Sequence, residues 1–199
     1  MLKVLGISGS PRKGGNSDIL LKHILMGAGN AGAATEEIQL RDYHFQPCIG
    51  CEKCRKAEKC IGLQDDMQLI YPKIIEAKGL LLISPTHNYN VTAWMKAFLD
   101  RFYCFYNFTP KRPGDWSSQL AGQGRRAIIA SIGEQQNYKD GVGFTLDAMR
   151  LPIEALGYEV IAELPLLGLF SKKALSKQPE LLVKAEELGK QLAIRLQEA

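Results

Sequence analysis

Residues 48–60 read CIGCEKCRKAEKC and hold four of the five cysteines in a chain of 199 residues. Thiols this close together suit a metal ion, an iron–sulfur cluster, a disulfide or a reactive redox pair. Zinc sites usually join one C-x2-C to a second pair a dozen or more residues away, so that the metal staples the fold. Repeated C-x2-C within one tight run is the habit of 4Fe-4S clusters. The common ferredoxin run has a shorter last gap followed by proline, whereas here five residues precede Cys60 and Ile61 follows it. C-x2-C also suits disulfide exchange. On spacing alone a cluster on Cys48, Cys51, Cys54 and Cys60 stands beside zinc and redox thiols. Within the run Lys53, Arg55, Lys56 and Lys59 outnumber Glu52 and Glu58. Such a basic loop would offset the negative charge of a thiolate-ligated cluster and attract an acidic redox protein such as ferredoxin.

A second chemical signal lies at residues 8–17, SGSPRKGGNS, between a short apolar run and an amphipathic stretch. The N-terminus of a helix offers unpaired backbone N–H groups and partial positive charge, which suits a phosphate. Ser8, Ser10, Asn16 and Ser17 can add donors, Pro11 shapes the loop, and Arg12 or Lys13 adds charge. Gly14 and Gly15 let the backbone turn closely around a ligand. The nucleotide P-loop is not present, because Gly15 and Asn16 stand where its Lys and hydroxyl residue belong. G-x-G-x-x-G is also missing after the first strand. A terminal monophosphate, such as that of FMN, fits better than a triphosphate or a dinucleotide.

These loops need a frame. Apolar runs at 3–8, 35–42, 79–84, 126–133 and 158–166 read as strands. Helical patterns occupy 17–28, 65–77, 91–103, 143–157 and 179–199, with Pro72 predicting a kink or a late start in the second. Residues 107–123, rich in Pro, Gly, Trp and Ser, read as a long loop. Five strands alternating with helices predict a doubly wound five-stranded parallel α/β sheet with helices on both faces. The expectation is one domain over 1–199, with a cysteine-rich insertion at about 43–64. Ligands in such sheets bind at the carboxyl ends of the strands. The loops there, besides 8–17, are SPTHNYN (84–90) and SIGEQQN (131–137). They bring Pro85, Thr86, His87, Asn88, Tyr89 and Asn90, then Ser131, Gly133 and Glu134.

Taken together, GISGSPRKGGNS, LLISPTHNYNVTAWMKAFLDR and ASIGEQQNYKDG resemble the phosphate loop and two flavin-ring loops of the flavodoxin-like NADPH-dependent FMN reductases. Within that group the cysteine run resembles the iron–sulfur flavoproteins. The resemblance implies a flavodoxin-like strand order of 2-1-3-4-5, FMN held by the three loops and a 4Fe-4S cluster on the four cysteines. It implies NAD(P)H or ferredoxin as electron donor and a small-molecule acceptor, in a homodimer or homotetramer. The alternatives are a cluster-free flavin, quinone or azo reductase, and a carrier without a substrate. The pI near 8.7 is unlike the acidic surface of a flavodoxin. This sequence departs from the family at Thr86-His87, where an aromatic usually stands. His87 would donate a proton or tune the flavin, or be a solvated polar residue.

Lys96 and Asp100 predict a surface pair at i, i+4. RFYCFYNF (101–108) and Trp116 predict core and oligomer contacts, with Cys104 a buried thiol. A net charge of +4, spread along the chain, gives no footprint for nucleic acid. No apolar stretch approaches the roughly 20 residues that span a bilayer. The start, MLKVLGISGSP, lacks the form of a signal peptide, so a cytoplasmic location is expected.

Overall fold

The computed structural model describes residues 2–111 and 113–198. Its core is a parallel sheet of β1 (Lys3–Ser8), β2 (Ala34–Gln39), β3 (Gly79–Pro85), β6 (Arg126–Ile132) and β7 (Glu159–Leu166). The order β2-β1-β3-β6-β7 is the flavodoxin-like 2-1-3-4-5, once a small outlying hairpin is set aside. Leu80 and Leu82 of β3 enter one core, while Leu81 and Ile83 enter the other, and all four are fully buried. A central parallel strand covered on both faces needs such an unbroken apolar run.

Helices α3 (Met67–Glu76), α4 (Ala93–Asp100) and α6 (Thr145–Ala155) cover one face through Ile70, Ile74, Met95, Phe98, Met149 and Ile153. Helices α1 (Asn16–Asn30) and α7 (Pro179–Gln197) cover the other through Leu20, Ile24, Leu192 and Leu196. The last two meet at glycines. A Cβ on Gly27 would fall 1.9 Å from the Glu186 carbonyl oxygen, and one on Gly189 would fall 1.8 Å from that of Ile24.

The structure departs from the sequence expectations in four places. The second strand stops at Gln39, and Leu40–Asp42 form a 3-10 turn. The cysteine segment carries a one-turn helix, α2 (Cys54–Ala57). The stretch read as helix to residue 103 leaves α-helical form at Arg101–Phe105. The Tyr71 hydroxyl and Cys104 thiol both donate to the Arg101 carbonyl, which a continuing helix would need. Finally, the presumed loop 107–123 contains an antiparallel pair, β4 (Tyr106–Phe108) and β5 (Trp116–Ser118). Tyr106 and Trp116 meet edge to face in it, 5.0 Å between centroids.

Pro72 is accommodated inside α3, at an exposed position, and the helix starts at Met67. The last carbonyls of α3 are taken by the buried Arg125 guanidinium, which donates to Ile74, Ile75 and Ala77. Lys96 and Asp100 pair as expected. At the sheet edge Glu36 lies between Lys3, at 2.8 Å, and Lys73. Lys3 above all, then Lys73, hold the Glu36 carboxyl below its ordinary pKa. A carboxyl depressed in the folded state stabilises above its unfolded pKa, near 4, and loses that stabilisation as pH falls through the folded value. The urea midpoint of wild type should therefore exceed that of Glu36→Gln at pH 7, and the gap should narrow as pH falls through the depressed folded value. An unchanged gap at low pH would contradict this account.

Candidate functional site

The first loop leaves β1 and is pinned to β3: the Gly9 amide donates to Ile83 at 2.9 Å, and Thr92 Oγ1 donates to the Gly9 carbonyl at 2.7 Å. Thr92 is also the N-cap of α4, accepting from the Met95 amide. Ser8 Oγ accepts from the Ser10 amide, and Ser10 Oγ from the Arg12 amide, so two serines fold the loop on itself. Gly14 adopts φ +66° and Gly15 begins α1, which no side chain caps. The first N–H groups of that helix therefore open toward whatever occupies the loop.

A carboxylate sits in this same first turn. Asp18 accepts from the Gly14 amide at 2.7 Å and is gripped by Arg41, whose Nη2 and Nη1 lie 2.7 and 2.9 Å from its two oxygens. Arg41 also donates to the Ser10 carbonyl at 3.0 Å. The negative charge beneath the loop is thus neutralised within the protein. Sequence reasoning missed this pair because its partners stand 23 residues apart.

Above the loop lies a cavity of about 160 Å³. Ser10, Pro11, Arg12, Gly15, Asn16 and Ser17 line it from the first loop, and Pro85, Thr86 and His87 from the second. Glu134 closes the third side. A second hollow of about 360 Å³ shares Thr86 and Glu134 and runs on to Asn88, Tyr89 and Gln135. The expected residues Ser8, Asn90, Ser131 and Gly133 line neither hollow. Asn90 instead exchanges both backbone hydrogen bonds with His87. That closes a tight turn in which Asn88 and Tyr89 take φ +47° and +66°. The Gly133 amide donates to the Leu166 carbonyl, and a Cβ there would lie 2.1 Å from the Gly141 carbonyl oxygen. Ser131 is fully buried in β6.

The fourth wall was not foreseen. It comes from the loop after β7, through Leu169, Phe170 and Lys172. Arg12 donates to the Phe170 carbonyl at 2.9 Å and lies 5.3 Å from its ring centroid. Asn16, expected to face a ligand, spends its amide on this loop: Nδ2 donates to Leu169 and Ser171, and Oδ1 accepts from the Leu175 amide. The exposed Phe170 beside two lysines was the available signal.

The cysteines form a separate cavity of about 220 Å³, lined by Cys48, Cys51, Cys54 and Cys60, with Arg101, Tyr103 and Cys104 behind them. It shares no lining residue with the first cavity. All five thiols are free. Burial, and then the neighbouring Cys60, Cys48 and Cys51, push the Cys54 thiol up. Burial works most strongly to raise Cys60, but the Arg101 hydrogen bond, a backbone hydrogen bond at Leu63 and the guanidinium charge together outweigh it and lower that thiol. Burial holds Cys104 at about 11. A Cβ at Gly62 would lie 2.4 Å from Cys51 Sγ, so this glycine makes room for the sulfur.

Among the described residues, no three His, Cys, Asp or Glu side chains are gathered as a single metal ion requires. The four cysteines that line this one cavity match in number the thiolates of a cubane, one per iron.

An open sheet of order 2-1-3-4-5, with an uncapped helix N-terminus facing a cavity at its carboxyl edge, is the flavodoxin-like architecture. The family model for NADPH-dependent FMN reductase matches residues 2–136, and the chain belongs to that family. An iron-sulfur flavoprotein of Methanocaldococcus jannaschii is 42% identical over 100 residues, covering 50% of this chain and 51% of the relative. One from Archaeoglobus fulgidus is 33% identical over 132 residues, covering 65% and 59%. The chain thus spans about half of the first relative's length and 59% of the second's. Among solved structures, an FMN-dependent NADH-azoreductase of Bacillus anthracis in complex with FMN aligns at TM-score 0.65 and 20% identity, over 98% of this chain and 99% of that one. A flavone reductase aligns at TM-score 0.73 and 20% identity, over 98% and 63%.

Proposed function

We propose that the chain is an FMN-dependent oxidoreductase of the iron–sulfur flavoprotein type. It would take electrons from NAD(P)H or a ferredoxin-like donor and pass them to a small acceptor. The observation that carries this reading is the uncapped N-terminus of α1 opening into a cavity walled by the loops after β1, β3 and β6. The phosphate would lie on the first-turn amides of α1 with Ser10 and Ser17, between the cations of Arg12 and Lys172. The ring would extend toward Thr86, Asn88 and Glu134, across the turn held rigid by His87 and Asn90. His87 lines the first cavity and would face that ring.

Such a flavin supplies acceptance of a hydride and release of its electrons in a pair or singly. The protein's own work is orientation, exclusion of water and control of charge. Cys48, Cys51, Cys54 and Cys60 would hold the cluster, which supplies one-electron exchange. The exposed ring of Tyr89 at the second hollow, with exposed Phe144, whose amide donates to the Tyr89 carbonyl, suits cover by a second copy of the chain, in a dimer or tetramer.

Anaerobic purification with a visible spectrum and assays of iron and sulfide tests the reading. A flavin spectrum with iron and sulfide supports it. Flavin without iron leaves a cluster-free reductase, and a protein that stays colourless with added FMN sinks the flavin assignment. Slow oxidation of NAD(P)H with fast reduction by ferredoxin would point to the second donor. Lys172→Ala should weaken FMN about three- to ten-fold in a fluorescence titration and leave riboflavin, which lacks the phosphate, nearly unchanged. Equal losses for both ligands would remove Lys172 from the phosphate site.

A further inference from the structure

Arg101 is 2% exposed and is the hub of the cysteine segment. Its Nη1 donates to the Gln46 carbonyl at 2.8 Å, just ahead of Cys48, and to Asp65 Oδ2 at 2.7 Å, just beyond Cys60. Nη2 donates to Asp65 Oδ1 at 3.1 Å and to Cys60 Sγ at 3.4 Å. Nε donates to the Tyr71 hydroxyl at 3.2 Å. Asp65 accepts in turn from the amides of Gln46 and Met67. One guanidinium therefore clamps both ends of the segment and still points an N–H at a ligand sulfur.

We infer that Arg101 is a positioning residue that sets the reduction potential of the cluster through its hydrogen bond to Cys60. This rests on the cluster reading above. The ion pair with Asp65 is close to neutral overall, so the long-range field of the guanidinium is largely cancelled. What survives at the sulfur is the directed N–H. A donor on a ligand sulfur stabilises the state with more negative charge, which is the cluster after it has gained one electron. Lysine cannot substitute: a single ammonium serves Asp65 or Cys60, whereas the planar fork serves both.

The test is a dithionite titration, with mediators, of anaerobically purified wild type, Arg101→Lys and Arg101→Gln, following the one-electron reduced cluster by EPR. Iron and FMN content are measured on each sample. Both variants should show a lower midpoint potential than wild type, and faster iron loss to a chelator. Because the FMN cavity is separate, retained FMN shows that a variant is folded. Should Arg101→Gln lose its FMN, Arg101→Lys decides. Variants that hold iron and FMN at the wild-type midpoint would overturn the inference. A wild-type protein that takes up no iron and sulfide would instead remove the cluster reading beneath it, and that result is seen before any variant is titrated.

Discussion

An Arg41→Gln protein is expected to bind FMN more than ten-fold less tightly than wild type while its affinity for riboflavin falls far less. Asp18 and Arg41 are 8% and 10% exposed, and the carboxylate sits in the first turn of α1. With the guanidinium gone, that charge faces an incoming phosphate. At an effective dielectric near 20, two charges about 8 Å apart repel by roughly 2 kcal/mol, which is more than ten-fold in Kd. The fold suffers as well, since leaving one member of a buried pair behind typically costs about 3–5 kcal/mol. Urea denaturation measures that second loss. Equal weakening of FMN and riboflavin would mean that the loop had simply collapsed. Arg41→Gln combined with Asp18→Asn removes both charges and should recover much of the FMN affinity.

Gly27→Ala should destabilise the protein by about 1–2 kcal/mol, while Gly29→Ala, two residues on in the same helix, should stabilise it slightly. Intrinsic propensity favours alanine at either helical position by up to about 1 kcal/mol. At Gly29 the new methyl meets only Thr35 Cγ2, at 3.9 Å. At Gly27 it meets the Glu186 carbonyl at 1.9 Å, and backbone cannot rotate away as a side chain can. Separating α1 from α7 disturbs packing at Ile24 and Leu192, and overpacking of this kind typically costs about 1–3 kcal/mol. Thermal and urea unfolding of the two variants compares the signs directly. A stabilised Gly27→Ala would show that the two helices separate at little cost.

The sheet was legible because strands such as GLLLIS carry continuous apolar runs that a doubly covered parallel strand buries, and its order followed from the resemblance to the flavodoxin-like reductases. The three loops were legible because they follow those strands. What escaped is made by pairing across the chain. Arg101 reads as an ordinary helical residue, and nothing local ties it to Asp65 or to Cys60, 41 residues before it. The hairpin of Tyr106–Phe108 and Trp116–Ser118 was hidden by Pro110, Pro113 and Gly114, which read as loop, and by strands only three residues long. Asn16 misled for another reason. Its type suits a ligand, but three hydrogen bonds tie its amide to the loop at 169–175.

Those bonds bear on anyone recombining this protein with its kin. The match to the family ends at residue 136, yet the loop that latches the start of α1 lies beyond it. A chimaera joined at that boundary would import the family-matched segment with a foreign latch. Exchange of Asn16 together with residues 169–175 is the smallest graft that keeps the lock and its key in one piece.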